Sequence, residues 1–195
     1  MCRRANFLLC FLLSAGLGLM LLGACTNDLK KIREISAKEV NSPADTTRGV
    51  DVIFSDSAKV KARLITPLML DYPISKDNKE VYKKMPKGVK VIFFDKNHNE
   101  SGNIVADTGY SYEARQLILL KKNVVITSAK GDVFKSDELN WNMVTHQITS
   151  NKPIDIKMAN GNIAHATAME TNEKFDPYTF KNQTGLIYVN RNLDQ

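Results

Sequence analysis

Residues 104–158 read as one strand-rich unit written twice. Asn123-Val124-Val125-Ile126 stands thirty positions before Pro153-Ile154-Asp155-Ile156, and Ile118 stands thirty before Ile148. Tyr110 and Tyr112 stand twenty-nine before Leu139 and Trp141. A fixed spacing of this size marks a supersecondary unit stacked on its own copy, each covering an apolar face that its neighbour cannot bury alone. Gly131 and Gly161 keep the same interval, which would put the turns of successive hairpins at one edge.

Within and around this unit, apolar and polar side chains alternate. Val60, Ala62 and Leu64 alternate with Lys59, Lys61 and Arg63; Val91 and Phe93 flank Ile92; Leu139, Trp141 and Met143 alternate with Asn140 and Asn142. Period-two alternation describes a strand with one dry face and one wet face. Turn-forming clusters at residues 95–99, 129–132 and 160–162 punctuate the pattern. Turns recur at intervals of roughly 8–12 residues, and no segment after Val50 keeps a helical apolar period. The expected fold is all-β, an open β-jelly roll of stacked antiparallel hairpins with aliphatic side chains turned inward. Thr66-Pro67 is expected to interrupt its strand. Residues 72–88, rich in lysine and holding Pro73 and Pro86, are expected to form the longest irregular piece.

The first fifty residues have a different character. Arg3-Arg4 precedes a nearly unbroken apolar run at residues 7–22, then Leu22-Gly23-Ala24-Cys25. A positive start, an apolar stretch and small residues before a cut form the layout of a secretory signal. The box resembles that of bacterial lipoproteins, in which the cysteine is lipidated, so Cys25 is the expected lipidation site. An uncleaved transmembrane helix is the alternative, since residues 7–24 sit at the lower limit for crossing a bilayer. The expected organisation is a signal peptide at 1–24, a lipid-anchored tether at 25–49, a β domain at 50–190 and a tail at 191–195. Either anchor puts the β domain outside the cytoplasm, beside a membrane.

Composition excludes several classes. All three cysteines fall in the first 25 residues, so neither a disulfide framework nor a cysteine metal site is expected in the remaining 170. Removing Arg3 and Arg4 from the 27 basic residues leaves 25 against 21 acidic ones, a net +4. This is too mild for a nucleic-acid footprint. His98, His146 and His165 are too scattered for a metal site, where ligands cluster. Asp137 and Glu138 are adjacent, and adjacent side chains on a strand point to opposite faces. No nucleophile elbow or phosphate-cradling glycine loop occurs. Neither an enzyme nor a cofactor is expected.

Several blocks recur in a fixed order: Ala58 to Pro67 (Ala-Lys-Val-Lys-Ala-Arg-Leu-Ile-Thr-Pro), Met85 to Val91 (Met-Pro-Lys-Gly-Val-Lys-Val), and Ile104 to Asp107 with Tyr110 and Tyr112. Asn123 to Val125, Ser136 to Leu139 with Trp141, and Ile148 complete the series. Together they resemble the LptC family, the membrane-anchored periplasmic component of lipopolysaccharide export. The resemblance spans about residues 55–158. It implies an open β-jelly roll shared with LptA, and acyl chains held between the sheets. It also implies relay of lipopolysaccharide from an inner-membrane ABC transporter to an LptA-like periplasmic bridge, met through a C-terminal edge strand at residues 185–190. LptC proteins usually keep a transmembrane helix, whereas this chain carries a lipobox. The resemblance favours the inner membrane for the anchor. The inward, lipid-facing candidates are Val91, Phe93, Ile104, Leu117, Leu119, Val124, Ile126, Leu139, Trp141, Ile148, Ile154 and Ile156, with Val60, Ala62 and Leu64 on the same footing. Lys83, Lys84, Lys87 and Lys90 are candidates for head-group phosphates. The competing expectation is a structural envelope lipoprotein that scaffolds other proteins through its sheet edge, with these residues serving only as its core.

Overall fold

The computed structural model describes residues 45–76 and 78–186. Fourteen strands follow one another: β1 (Asp45–Asp56), β2 (Lys59–Tyr72), β3 (Tyr82–Met85), β4 (Val89–Phe94), β5 (Glu100–Ala106), β6 (Thr108–Tyr112), β7 (Leu117–Ser128), β8 (Val133–Asn142), β9 (Gln147–Ser150), β10 (Ile154–Lys157), β11 (Ile163–Ala166), β12 (Ala168–Asn172), β13 (Tyr178–Lys181) and β14 (Thr184–Leu186). A 3-10 turn, Glu113–Arg115, lies between β6 and β7. All fourteen strands belong to one hydrogen-bonded sheet, and every pairing is antiparallel. The fold is all-β, built from stacked antiparallel hairpins in an LptA- and LptC-like jelly-roll arrangement.

The sheet is folded across its middle. The start of β2 pairs with β4 and its end with β3. The end of β7 pairs with β5 and its start with β6. The start of β8 pairs with β10 and its end with β9. Each long strand therefore serves two half-sheets: β4, β5, β10, β11 and β14 in one, and β3, β6, β9, β12 and β13 in the other. The bend itself is stitched across the strands. Thr66 Oγ1 donates to Gly88 O (2.7 Å), Gly88 N to Asp107 O (2.8 Å) and Asp107 N to Lys122 O (3.0 Å). Asn123 Nδ2 donates to the Asp107 carboxylate (2.7 Å), and Ser136 Oγ donates to Pro153 O (3.0 Å). These bonds satisfy backbone groups that the ladder loses where it turns.

The thirty-residue interval is physical. Ser128–Asp132 and Met158–Asn162 form the same turn: Gly131 N donates to Ser128 O and Gly161 N to Met158 O, each at 3.0 Å. Gly131 and Gly161 take φ of +88° and +90°, the left-handed region that glycine enters freely. His98 fills the corresponding place one unit earlier at φ +64°. On the opposite rim the left-handed residues are Gln116, His146 and Phe175, again about thirty apart. Two successive bent strands and their two turns make one repeat. The buried positions repeat with them: Ile118 with Ile148, Val124 with Ile154, Ile126 with Ile156, Leu139 with Met169.

Some expectations change. The twenty-nine-residue match fails: Tyr110 and Tyr112 lie half-buried on the face opposite to Leu139 and Trp141, and Gly109 holds the buried position. Strand β2 runs through Pro67, which sits exposed at the bend. Residues 72–88 contain β3, so they are not one long loop. Strand β1 starts at Asp45, so residues 45–49 of the expected tether belong to it. Cys25, the signal and residues 187–195 lie outside the described residues.

Candidate functional site

The inner faces of the two half-sheets meet in one apolar core, which fills the trough between them. Val91, Phe93, Ile104, Val124, Ile126, Leu139, Trp141, Ile148, Ile154 and Ile156 all point into it with relative exposure of 1% or less. Ala62 and Leu64 join them, while Val60 is only half-buried. The halves touch across the interior. Phe93 of β4 and Trp141 of β8 are not on neighbouring strands, yet their rings meet edge-on at 4.8 Å. Phe134 meets Tyr178 edge-on at 5.2 Å and lies tilted against Phe180 at 6.0 Å. Edge-on aromatic packing of this kind adds about 0.5–1.5 kcal/mol per pair beyond the area buried.

Leu117 and Leu119 are the two candidates the structure places elsewhere. They are half-buried on the outer face, paired with Tyr112 and Tyr110, while Ile118 and Leu120 point inward. The run Leu117-Ile118-Leu119-Leu120 is apolar on both faces, so local alternation cannot choose between them. The thirty-residue match of Ile118 to Ile148 carries the correct phase.

The four lysines do not converge. Lys83 pairs with Glu113 at 2.6 Å, Lys84 stands over the Tyr110 ring on the outer face, and Lys87 and Lys90 are exposed.

Opposite the bend, the two rows of turns face each other across the mouth of the trough. A cleft of about 350 Å³ opens there, lined by Ile53, Phe54, Trp141 and Met143 with Lys61, His146 and Glu173 among its polar groups. Phe54 packs edge-on against Trp141 at 5.5 Å. Two further clefts lie away from the mouth, around Asn123 and Lys135 in one and Asp155 and His165 in the other.

Glu173 lies in the turn after β12, on the same rim as His146. Its carboxylate accepts from Trp141 Nε1 (2.9 Å) and lies 3.1 Å from His146 Nδ1. Next along the mouth, buried Asp132 ties three turns together, accepting from Ala159 N (2.9 Å) and the Tyr178 hydroxyl (2.8 Å) beside Ser128. Burial acts to raise the Asp132 pKa, but these hydrogen bonds outweigh it and hold the carboxyl below its ordinary value. Burial first, and the Asp132 carboxylate second, push the Tyr178 phenol up to about 12.

Phe54, Phe134, Phe175, Tyr178 and Phe180 line the trough or its rims without having stood out in the sequence. Phe134 was findable, because Ala164 is buried thirty residues later. Phe175 was not: it sits in a polar turn where no alternation exists to read.

Among the described residues no group of three or more His, Cys, Asp or Glu side chains is placed to hold a metal ion. No helix among them is long and apolar enough to cross a membrane. No curated protein matches the chain. Residues 7–188 match the family described as LptC: lipopolysaccharide-assembly, LptC-related. With nearly its whole length covered by that match, the chain belongs to the LptC family.

Proposed function

We propose that this protein carries lipopolysaccharide, holding its acyl chains between the two half-sheets. It would relay the lipid from an inner-membrane ABC transporter to a periplasmic β-jelly-roll bridge. The observation that carries this reading is the continuous apolar interior running from β2 to β13 between the half-sheets, with a cleft beside Trp141 at its mouth. Each acyl methylene removed from water contributes about 0.8 kcal/mol, so shielding ten offsets roughly 8 kcal/mol of exposure. A transfer protein needs that shielding along the whole path, and no step of covalent chemistry. Lipidation at Cys25 would keep the trough beside the membrane, and the edge at β14 would meet the bridge.

A photo-crosslinker at Ile126 or Trp141 is expected to label lipopolysaccharide in cells, while one at Lys157 or at outward-facing Leu119 is not. Equal labelling at all four positions, or at none, removes the carrier reading. The second reading is a structural envelope protein acting through its sheet edges, favoured by the near-zero exposure of the inward side chains. It expects a purified protein free of lipopolysaccharide, and loss of function from edge substitutions alone.

A further inference from the structure

The middle of the mouth is shut by a single short piece of chain, the turn at residues 172–177 between β12 and β13. Phe175 at its tip is 1% exposed, although it lies in a turn and takes φ +56°. Its ring reaches across to the other half-sheet, where it meets Phe93 edge-on at 5.4 Å. It packs close against Gly102: a Cβ added there would stand 2.6 Å from two of its ring carbons. Only glycine leaves that seat open.

The turn is tied to itself by three hydrogen bonds and to its surroundings by four polar contacts, two of them from the Glu173 carboxylate to Trp141 and His146. Asn172 accepts from Lys174 N (2.8 Å) and donates to Asp176 O (2.7 Å), and Phe175 N donates to Asn172 O (2.9 Å). To the opposite half-sheet it has Ser101 Oγ donating to Glu173 O (3.0 Å), and Lys130 paired with Asp176 (2.7 Å) in an exposed bridge. An exposed ion pair contributes little. To swing as a unit the turn keeps its internal bonds and gives up those four contacts together with the packing of the apolar ring.

That ring stands where an acyl chain lying against Phe93 would lie. A chain of methylenes can replace its contacts with nearly equal burial, so exchange of one for the other is apolar for apolar. We propose that this turn is a strap over the trough and Phe175 its plug, displaced by each acyl chain that lodges beside Phe93 and Trp141. The inference rests on the carrier reading and adds how the trough is closed when empty. An empty apolar slot would be open to water or to collapse, and a built-in stand-in for the ligand avoids both.

Trp141 is the only tryptophan in the chain and lies 4.8 Å from Phe93, so its fluorescence reports what arrives there. The test uses the full chain in phosphatidylcholine vesicles, with dibrominated stearate as the quenching acyl probe. Quenching in F175A is expected to be several-fold faster than in the parent. In K130C/D176C, joined across the mouth by a short reducible linker, quenching is expected to stop and to return when the linker is cut. Quenching that is equally fast with the strap tethered or free overturns the plug and leaves the carrier reading standing. No quenching in any protein whose circular dichroism remains that of a folded sheet removes both. If F175A does not fold, the tethered pair alone decides.

Discussion

Asp132 shows how much of this fold hangs on one carboxylate. It is 5% exposed, and one side chain joins the β7–β8 turn to Ala159 and Tyr178. Its folded pKa lies below the unfolded value of about 3.9. Its contribution is therefore complete above that value, and is lost as pH falls through the lower, folded pKa. D132N is expected to lower stability at neutral pH by about 1–3 kcal/mol. It should also flatten the loss of stability below about pH 4, as read from urea midpoints across pH. Tyr178 runs the other way. Its phenol, at about 12 when folded, keeps its stabilising proton below the unfolded value and loses that advantage as pH rises. Gly102 is the other exacting position. G102A would push a methyl into the Phe175 ring and to 2.7 Å from Thr127 O, and an overpacking cost of about 1–3 kcal/mol is expected in the same urea assay.

The turns and bent strands were legible in the sequence to different degrees. Gly131 and Gly161 announced two equivalent turns, and the third copy was hidden because His98 stands where the others have glycine. A non-glycine residue in the left-handed region carries strain. H98G is thus expected to be tolerated, whereas G131A should cost about 1 kcal/mol, and thermal melts of the two variants distinguish them. The bend was missed for a physical reason. A strand that changes half-sheet looks locally like a strand that ends, so Thr66-Pro67 reads as an interruption, while β2 passes through it. The same blindness misplaced Leu117 and Leu119, because the outer face beside Tyr110 and Tyr112 is itself apolar. Truncation separates the faces: I118A should lose about 2–5 kcal/mol, as buried aliphatics do, and L119A clearly less. Equal losses would mean that both leucine faces are core. The trough lining on β8–β10 was legible because its outward neighbours are polar. Phe175 was not, because the fold brings it to Phe93 from a distant turn.

A sheet that meanders once along the chain and never closes on itself has two different ends. Strand β1 forms one, pairing only β2 among the described residues, and β13 with β14 forms the other. Exposed Ile53 on β1 and Leu186 on β14 mark them, at 60% and 69% exposure. Unpaired edges accept strands from other chains, and natural proteins guard them with charge when they are not meant to. A relay and a scaffold use these ends differently. In a relay the trough must continue into the partner, so blocking one end alters the lipid content inside the domain. In a scaffold the ends hold proteins, and the interior does not respond. L186D places a charge on the β14 edge without touching the core. Combined with a photo-crosslinker at Trp141, it is expected to raise the share of protein labelled with lipopolysaccharide, because lipid continues to arrive and cannot leave. An unchanged interior signal, with L186D losing only a protein partner that co-purifies with the parent, would make the edge a docking rail and the trough an ordinary core.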